Sequence, residues 1–98
     1  MKPRFKDSAL TDLEEARDFY ELQEAGMGDY FLHRMEEEYS TLARTAGVHR
    51  QRDGFHCHVT RRFHHLIYNR MEAQVPVIYA VLDGRRDPEF NRQKIRRF

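Results

Sequence analysis

Between Ala9 and Tyr20, the apolar positions Ala9, Leu13, Ala16 and Tyr20 recur three or four residues apart, with charged residues between them. That spacing is one face of an α-helix, and it predicts a helix from about Ser8 to Ala25. Asp7 or Ser8 is placed to cap it, and Asp12, Glu14 and Glu15 stand in early turns, where the helix dipole favours negative charge. Gly26-Met27-Gly28 should end this helix and let the chain reverse. A second run follows, with Phe31, Met35, Glu38 or Tyr39, and Leu42 on one face, and it stops at Gly47. Two amphipathic helices joined by so short a turn are expected to form an antiparallel hairpin over about residues 8–46.

At Val48 the pattern changes. From Phe55 onward the period is two: Phe55, Cys57, Val59, Arg61 and Phe63 fall on one side of a strand, and His56, His58, Thr60 and Arg62 on the other. A second strand is predicted from about His64 to Glu72 and a third from about Val75 to Arg85, with Glu72-Ala73-Gln74 as the hairpin connection. Pro76 is tolerable at a strand beginning. Phe5, between Pro3 and Asp7, marks a brief first strand. Asp87-Pro88 reads as the turn that ends the last strand. The basic tail over residues 87–98 would, as a helix, have Ile95 and Phe98 for anchoring and could bind nucleic acid or an acidic partner. Fraying is the commonest outcome for such a terminus. The sum is an α+β domain: a short N-terminal strand, a helical hairpin, and an antiparallel meander over about residues 55–86, with the helices on one face of the sheet.

A chain of 98 residues fits one domain with one modest core. No apolar stretch approaches the ~20 residues that span a bilayer. The basic start, Met1-Lys2-Pro3-Arg4-Phe5-Lys6, leads into a charged segment rather than a signal-type apolar run, so a cytoplasmic location is expected. The single cysteine, Cys57, excludes an internal disulfide, and its place beside Val59 suggests a buried, inert thiol. The net charge of +1 conceals an uneven distribution. Residues 1–48 carry eleven acids against six bases, and residues 49–98 five acids against eleven bases, which leaves the halves at −5 and +6. Such asymmetry points to an anionic partner for the second half.

Four segments carry a family resemblance. "ALTDLEEARDFY" (Ala9 to Tyr20) resembles the first helix of RelE/ParE toxins, with its D-L-x-E-A-x-x-[FW]-Y pattern. "GMGDYFLHRMEE" (Gly26 to Glu37) is similar to that family's turn into the second helix, and "RRFHHLIYN" (Arg61 to Asn69) to its R-x-F-P-Y-x-I-Y-Y strand. "VIYAVLDGRRDPEF" (Val77 to Phe90) resembles its V-x-A-V-x-H-x-R-R-D-P ending. His64-His65 replaces the Pro-Tyr pair, and Asp83 the usual histidine.

The resemblance implies a strand–helix–helix–three-strand fold and the toxin role in a type II toxin–antitoxin module, with a cognate antitoxin as partner in a heteromeric assembly. Two activities occur in the superfamily: ParE-like members poison DNA gyrase without hydrolysis, and RelE-like members cut mRNA on the ribosome. The helix motifs and the ending look more like the ParE and plasmid-stabilisation branch. No lysine-rich strand of the RelE kind is present, since the only lysines are Lys2, Lys6 and Lys94. A third reading is a non-toxic or decayed module that only binds. No cofactor is implied.

A nuclease would need groups that activate a 2′-hydroxyl, protonate a leaving oxygen and stabilise a pentavalent phosphate. His56 and His58 are candidate acid and base, and Arg62 and Arg86 complete the candidate catalytic set. Arg61, Arg62, Arg85 and Arg86 are candidates for binding a phosphate or another target, because a guanidinium forks onto two oxygens and stays charged. A solvated rim or an antitoxin contact is the plainer reading of the same arginines. His56, His58 and possibly His64 also resemble a metal face, but a structural zinc site normally wants four ligands, often with thiolates, so no metal is expected. Antitoxin contacts are expected near Leu13, Tyr20 and Phe31 or on the exposed strand face.

Overall fold

The computed structural model describes residues 2–47 and 51–98, so the pattern change at Val48 lies outside the described residues. Eight elements follow in order: β1 (Arg4–Phe5), α1 (Asp7–Gln23), α2 (Met27–Thr45), β2 (Gln51–Arg52), β3 (Phe55–Val59), β4 (His65–Glu72), β5 (Val75–Asp83) and α3 (Pro88–Ile95). The expected α+β order is present, with two additions, β2 and α3.

The helical hairpin forms as its periodicity predicts, but its caps differ. Lys6 occupies the N-cap of α1 without a side-chain hydrogen bond, and Asp7 is the first helical residue. The Ser8 hydroxyl instead donates to the Tyr79 carbonyl at 2.6 Å. At the turn, Gly26 adopts φ 87°, which an L side chain resists, and caps α2. The Glu21 carboxylate accepts from the backbone N–H of Gly26 and of Gly28, each at 3.0 Å, and so satisfies donors at the start of α2. Gly28 has no room for a side chain, because a Cβ there would stand 2.8 Å from the Arg17 carbonyl oxygen.

The five strands lie in the order β1-β5-β4-β3-β2. β1 runs parallel to β5, with Arg4 opposite Val77, while the other neighbours are antiparallel. Two tight hairpins set the register. Asp53 (φ 52°) and Gly54 (φ 83°) join β2 to β3, and Ala73 (φ 51°) and Gln74 (φ 63°) join β4 to β5. Left-handed residues at both central positions match the twist of the flanking strands. The Asp53-Gly54 dipeptide is the hairpin signal in this chain, although the sequence reading placed no hairpin there.

The sheet is covered on both faces, unlike the one-faced packing expected. Phe31, Met35 and Leu42 from α2, with Ala9, Leu13 and Tyr20 from α1, pack with Ile67, Ile78 and Val81. Phe55, Tyr68, Ala80 and Leu82 form a second cluster with Ile95 of α3. A register shift between Tyr68 and Asn69 makes Ala80 the partner of Tyr68 and Ile78 the partner of Asn69. Tyr79 is therefore the extra residue of a β-bulge, which explains how Ile78 and Val81, three apart, join the same core.

α3 corrects the expectation of a frayed tail. Asp87 is its N-cap, accepting from the Glu89 N–H at 3.0 Å, and Pro88 sits in its first turn. Ile95 is buried, and the Phe98 ring lies 5.3 Å from that of Tyr79 and 6.0 Å from that of Phe55. Among the described residues, no helix is long and apolar enough to cross a membrane.

Candidate functional site

Strand β3 stops at Val59, so Arg61 and Arg62 belong to the turn that leads into β4 rather than to a longer strand. Within that turn Phe63 (φ 65°) and His64 (φ 47°) both take the left-handed conformation, which bulky residues rarely adopt without compensation. The compensation is visible. The Phe63 ring lies 4.7 Å from that of Tyr20 and 5.3 Å from that of Phe31. The Thr60 hydroxyl donates to the Arg62 carbonyl at 2.7 Å and accepts from the His65 N–H at 2.9 Å. The His64 carbonyl accepts from the Gly84 N–H at 2.9 Å.

Glu38 clamps the same turn from α2. One carboxylate oxygen meets His58 Nε2 at 2.8 Å, and the other accepts the Arg61 N–H at 3.3 Å. Glu38 and His58 are both buried. His58 thus lies under α2, because Phe55 and Cys57 of the opposite face pack in the second cluster. As a buried partner of a carboxylate, His58 is not positioned as a solvent-facing acid or base, which corrects its candidate catalytic role. An acid on the apolar stripe of Phe31, Met35 and Leu42 was the sequence signal for this pairing.

Arg61 and Arg62 are exposed, and they border a cleft of about 440 Å³ with Arg34, Met35, Glu37 and Glu38. Arg34 donates to both oxygens of Glu37, at 2.8 and 3.1 Å, and to the Tyr30 hydroxyl at 3.2 Å. The Arg34 hydrogen bond, with the positive charges of Arg34 and Arg62 nearby, holds the Tyr30 hydroxyl below the usual tyrosine range.

A second node joins the start, middle and end of the chain. Arg85 Nη2 donates to the Tyr20 hydroxyl at 3.0 Å, and that hydroxyl lies 3.1 Å from His65 Nε2. The guanidinium donates to the Tyr20 oxygen, and one further proton is shared between that oxygen and His65 Nε2, its direction set by the imidazole tautomer. Burial pushes the His65 imidazole down to about 4, so it is neutral near pH 7. Arg85 also grips Asp83 through Nε and Nη2, each at 3.0 Å, and these hydrogen bonds hold the Asp83 carboxyl below its ordinary value against the cost of its burial. Arg85 is consumed by structural contacts and does not offer a free fork to a phosphate, contrary to expectation.

Beside this node, a cavity of about 110 Å³ lies between α1, β5 and α3, bordered by Phe19, His65, Arg86, Phe90 and Asn91. His65 Nδ1 and Asn91 Oδ1 are buried without a protein partner. The Arg86 guanidinium stacks 5.0 Å from the Phe90 ring centre.

The four candidate catalytic residues are not assembled. His58 is engaged by Glu38, His56 pairs with Asn69 further along the ladder, and Arg62 and Arg86 border different cavities. Leu13, Tyr20 and Phe31 are core residues at 8%, 7% and 0% exposure, so they cannot serve as an antitoxin contact surface. Their helical spacing marked a buried face, and the exposed apolar side chains of α1 are Leu10, Phe19 and Leu22. Cys57 is half-buried against the second cluster. Among the described residues no three His, Cys, Asp or Glu side chains form a group able to hold a metal ion.

Family models give no match to the chain, and no curated protein matches it.

Proposed function

We propose that this chain is a toxin of the RelE/ParE type, acting in a toxin–antitoxin module and arresting growth without hydrolysis, in the ParE manner. The reading rests on one observation: each of the four segments that carry the resemblance contributes a residue to a single node. Tyr20 comes from the first segment, Phe31 from the second, His65 from the third and Arg85 from the fourth. Tyr20, His65 and Arg85 are linked by hydrogen bonds, and the Phe31 ring packs against the His65 imidazole. The order of a short strand, two helices and an antiparallel meander agrees with the family's architecture and supports the same reading.

The non-hydrolytic branch is favoured because His58 is bound to Glu38 and Arg85 to Asp83, which leaves the proposed acid, base and phosphate ligands apart. A cognate antitoxin would meet an exposed surface, and Leu10, Phe19 and Leu22 of α1 offer apolar side chains for it.

The test is expression of the chain alone in a bacterium, following growth, DNA breakage and mRNA integrity together. Growth arrest with gyrase-dependent breaks and intact mRNA is expected. Translation-dependent mRNA cuts would replace this reading with the nuclease. Normal growth with folded protein would leave a binding module.

A further inference from the structure

We propose that the cavity between α1, β5 and α3 binds a small uncharged molecule bearing a primary carboxamide. The site is separate from the toxin reading and does not require it.

Two buried polar side chains border the cavity and are fixed in place. Its volume is about 110 Å³, and His65 and Asn91, each 3% exposed, are among its walls. Each contributes a buried polar atom without a protein partner among the described residues, His65 Nδ1 and Asn91 Oδ1. An unpaired buried polar atom is costly, so a ligand that pairs both gains affinity that an exposed surface could not give. Asn91 Nδ2 donates to the Asp83 carbonyl at 2.9 Å, which leaves Oδ1 as an acceptor. His65 Nε2 lies 3.1 Å from the Tyr20 hydroxyl, which leaves Nδ1 as the remaining ring nitrogen. Side chains held in advance in this way lose little freedom when a ligand arrives.

The chemistry of these two atoms selects the ligand. Asn91 Oδ1 demands a donor. A neutral imidazole has one donating and one accepting nitrogen, so Nδ1 asks for an acceptor or a donor according to the tautomer. A primary carboxamide carries N–H and C=O side by side and satisfies both atoms whichever tautomer holds. Charge gives a ligand no advantage here. Burial keeps the His65 ring uncharged near pH 7. Two acids, Asp12 and Glu15, border the cavity with two bases, Arg86 and Lys94, and the third acid, Asp83, is already held by Arg85. Arg86 and Lys94 lie over the Phe90 ring, at 5.0 and 5.3 Å from its centre. The exposed Phe19 ring at the border offers an apolar contact for the carbon end of the ligand. Size sets the other limit. An apolar cavity of about 150 Å³ holds benzene, so this smaller one suits a ligand of about four or five non-hydrogen atoms.

The experiment is an NMR titration of the isotope-labelled protein with flat molecules of equal size: acetamide, acetone, acetate and guanidinium. Acetone lacks the donor, and the two ions carry charge of either sign. Acetamide should give saturable shifts at the backbone amides of Glu15, Phe90 and Asn91 and at the His65 ring nitrogens. Its dissociation constant should be on the order of 10 mM, as so few atoms allow. Acetone should bind at least about fivefold more weakly, the loss expected when a buried acceptor stays unpaired. Glu15→Gln and Lys94→Gln each remove one charge from the border and should change acetamide affinity by less than about twofold. Asn91→Leu should abolish the difference between acetamide and acetone, and the wild-type series decides the matter even if that variant does not fold. Absence of saturable shifts with acetamide at about 200 mM would overturn the proposal and assign the two polar atoms to water. Equal affinity for acetone would overturn it too, as would tighter binding of acetate or guanidinium than of acetamide.

Discussion

The Asp12 carboxylate on α1 accepts the backbone N–H of Val81 on β5 at 2.9 Å. β1 reaches along β5 only to Ile78, and the next part of that edge is covered by α1: Ser8 takes the Tyr79 carbonyl and Asp12 the Val81 N–H. Two helix side chains thus replace the strand that the sheet lacks there, and an otherwise open edge is closed. Asp12→Ala should leave a donor unsatisfied and cost about 1–3 kcal/mol. Urea denaturation reads the loss, and amide exchange should speed up at Val81 more than at Ile67. Unchanged stability would show that water replaces the carboxylate.

Glu38 holds both His58 and the Arg61 N–H, so its removal should cost more than a surface acid. Glu38→Ala is expected to destabilise by about 1–3 kcal/mol, with Glu37→Ala, whose bonds are exposed, costing less than about 1 kcal/mol. Equal effects for the two variants would remove Glu38 from its clamping role.

Stability should fall as the pH drops from neutrality toward 4. His65 has a folded value near 4 and an ordinary value of 6.5. Between these the unfolded chain binds a proton that the native state refuses, so stability is full above about 6.5 and declines as pH falls to about 4. The shift corresponds to about 3 kcal/mol across that window. Denaturation curves at several pH values should show this slope, and His65→Phe should flatten it. An imidazole NMR titration of His65 with a midpoint near 6.5 would contradict the assignment.

The α1–α2 turn should not accept a methyl group at position 28. A Cβ there meets the Arg17 carbonyl oxygen at 2.8 Å and a Glu21 carboxylate oxygen at 2.9 Å. Gly28→Ala must push the helices apart or displace the Glu21 cap, with an expected loss of about 1–3 kcal/mol despite alanine's better helix propensity. A thermal melt at or above the wild-type midpoint would contradict this.

Truncation of a single α3 side chain should be felt throughout the domain. Ile95 is 1% exposed within the second cluster, so Ile95→Ala is expected to cost about 2–5 kcal/mol. A frayed tail would give almost no change.

Much of the fold was readable from periodicity, and the errors have a common physical source. The helical hairpin and the turn at Ala73-Gln74 follow from apolar spacing and from the need to reverse between two strands. Period two in β3 correctly separated Phe55 and Cys57 from His56 and His58, but could not say which side was buried. With a helix layer on each face, both sides were. The bulge at Tyr79 breaks alternation in β5, and the left-handed pair Phe63-His64 ends β3 four residues before its pattern runs out. The site suffered most. Arg61 and Arg62 were found by residue type, whereas Glu38, Thr60 and Asp83, which decide the arginines' freedom, act through contacts that are distant in sequence or hidden in a turn.

The parallel pairing of β1 with β5 also sets an order on the birth of the molecule. As the chain leaves the ribosome, α1 and α2 can meet at once, since only a few residues separate them. Arg4 and Phe5 must wait for Val77 and Ile78, made some seventy residues later. Until then the apolar faces of the hairpin have no sheet beneath them. Those faces are covered only once β5 has been made and has taken its place beside β1.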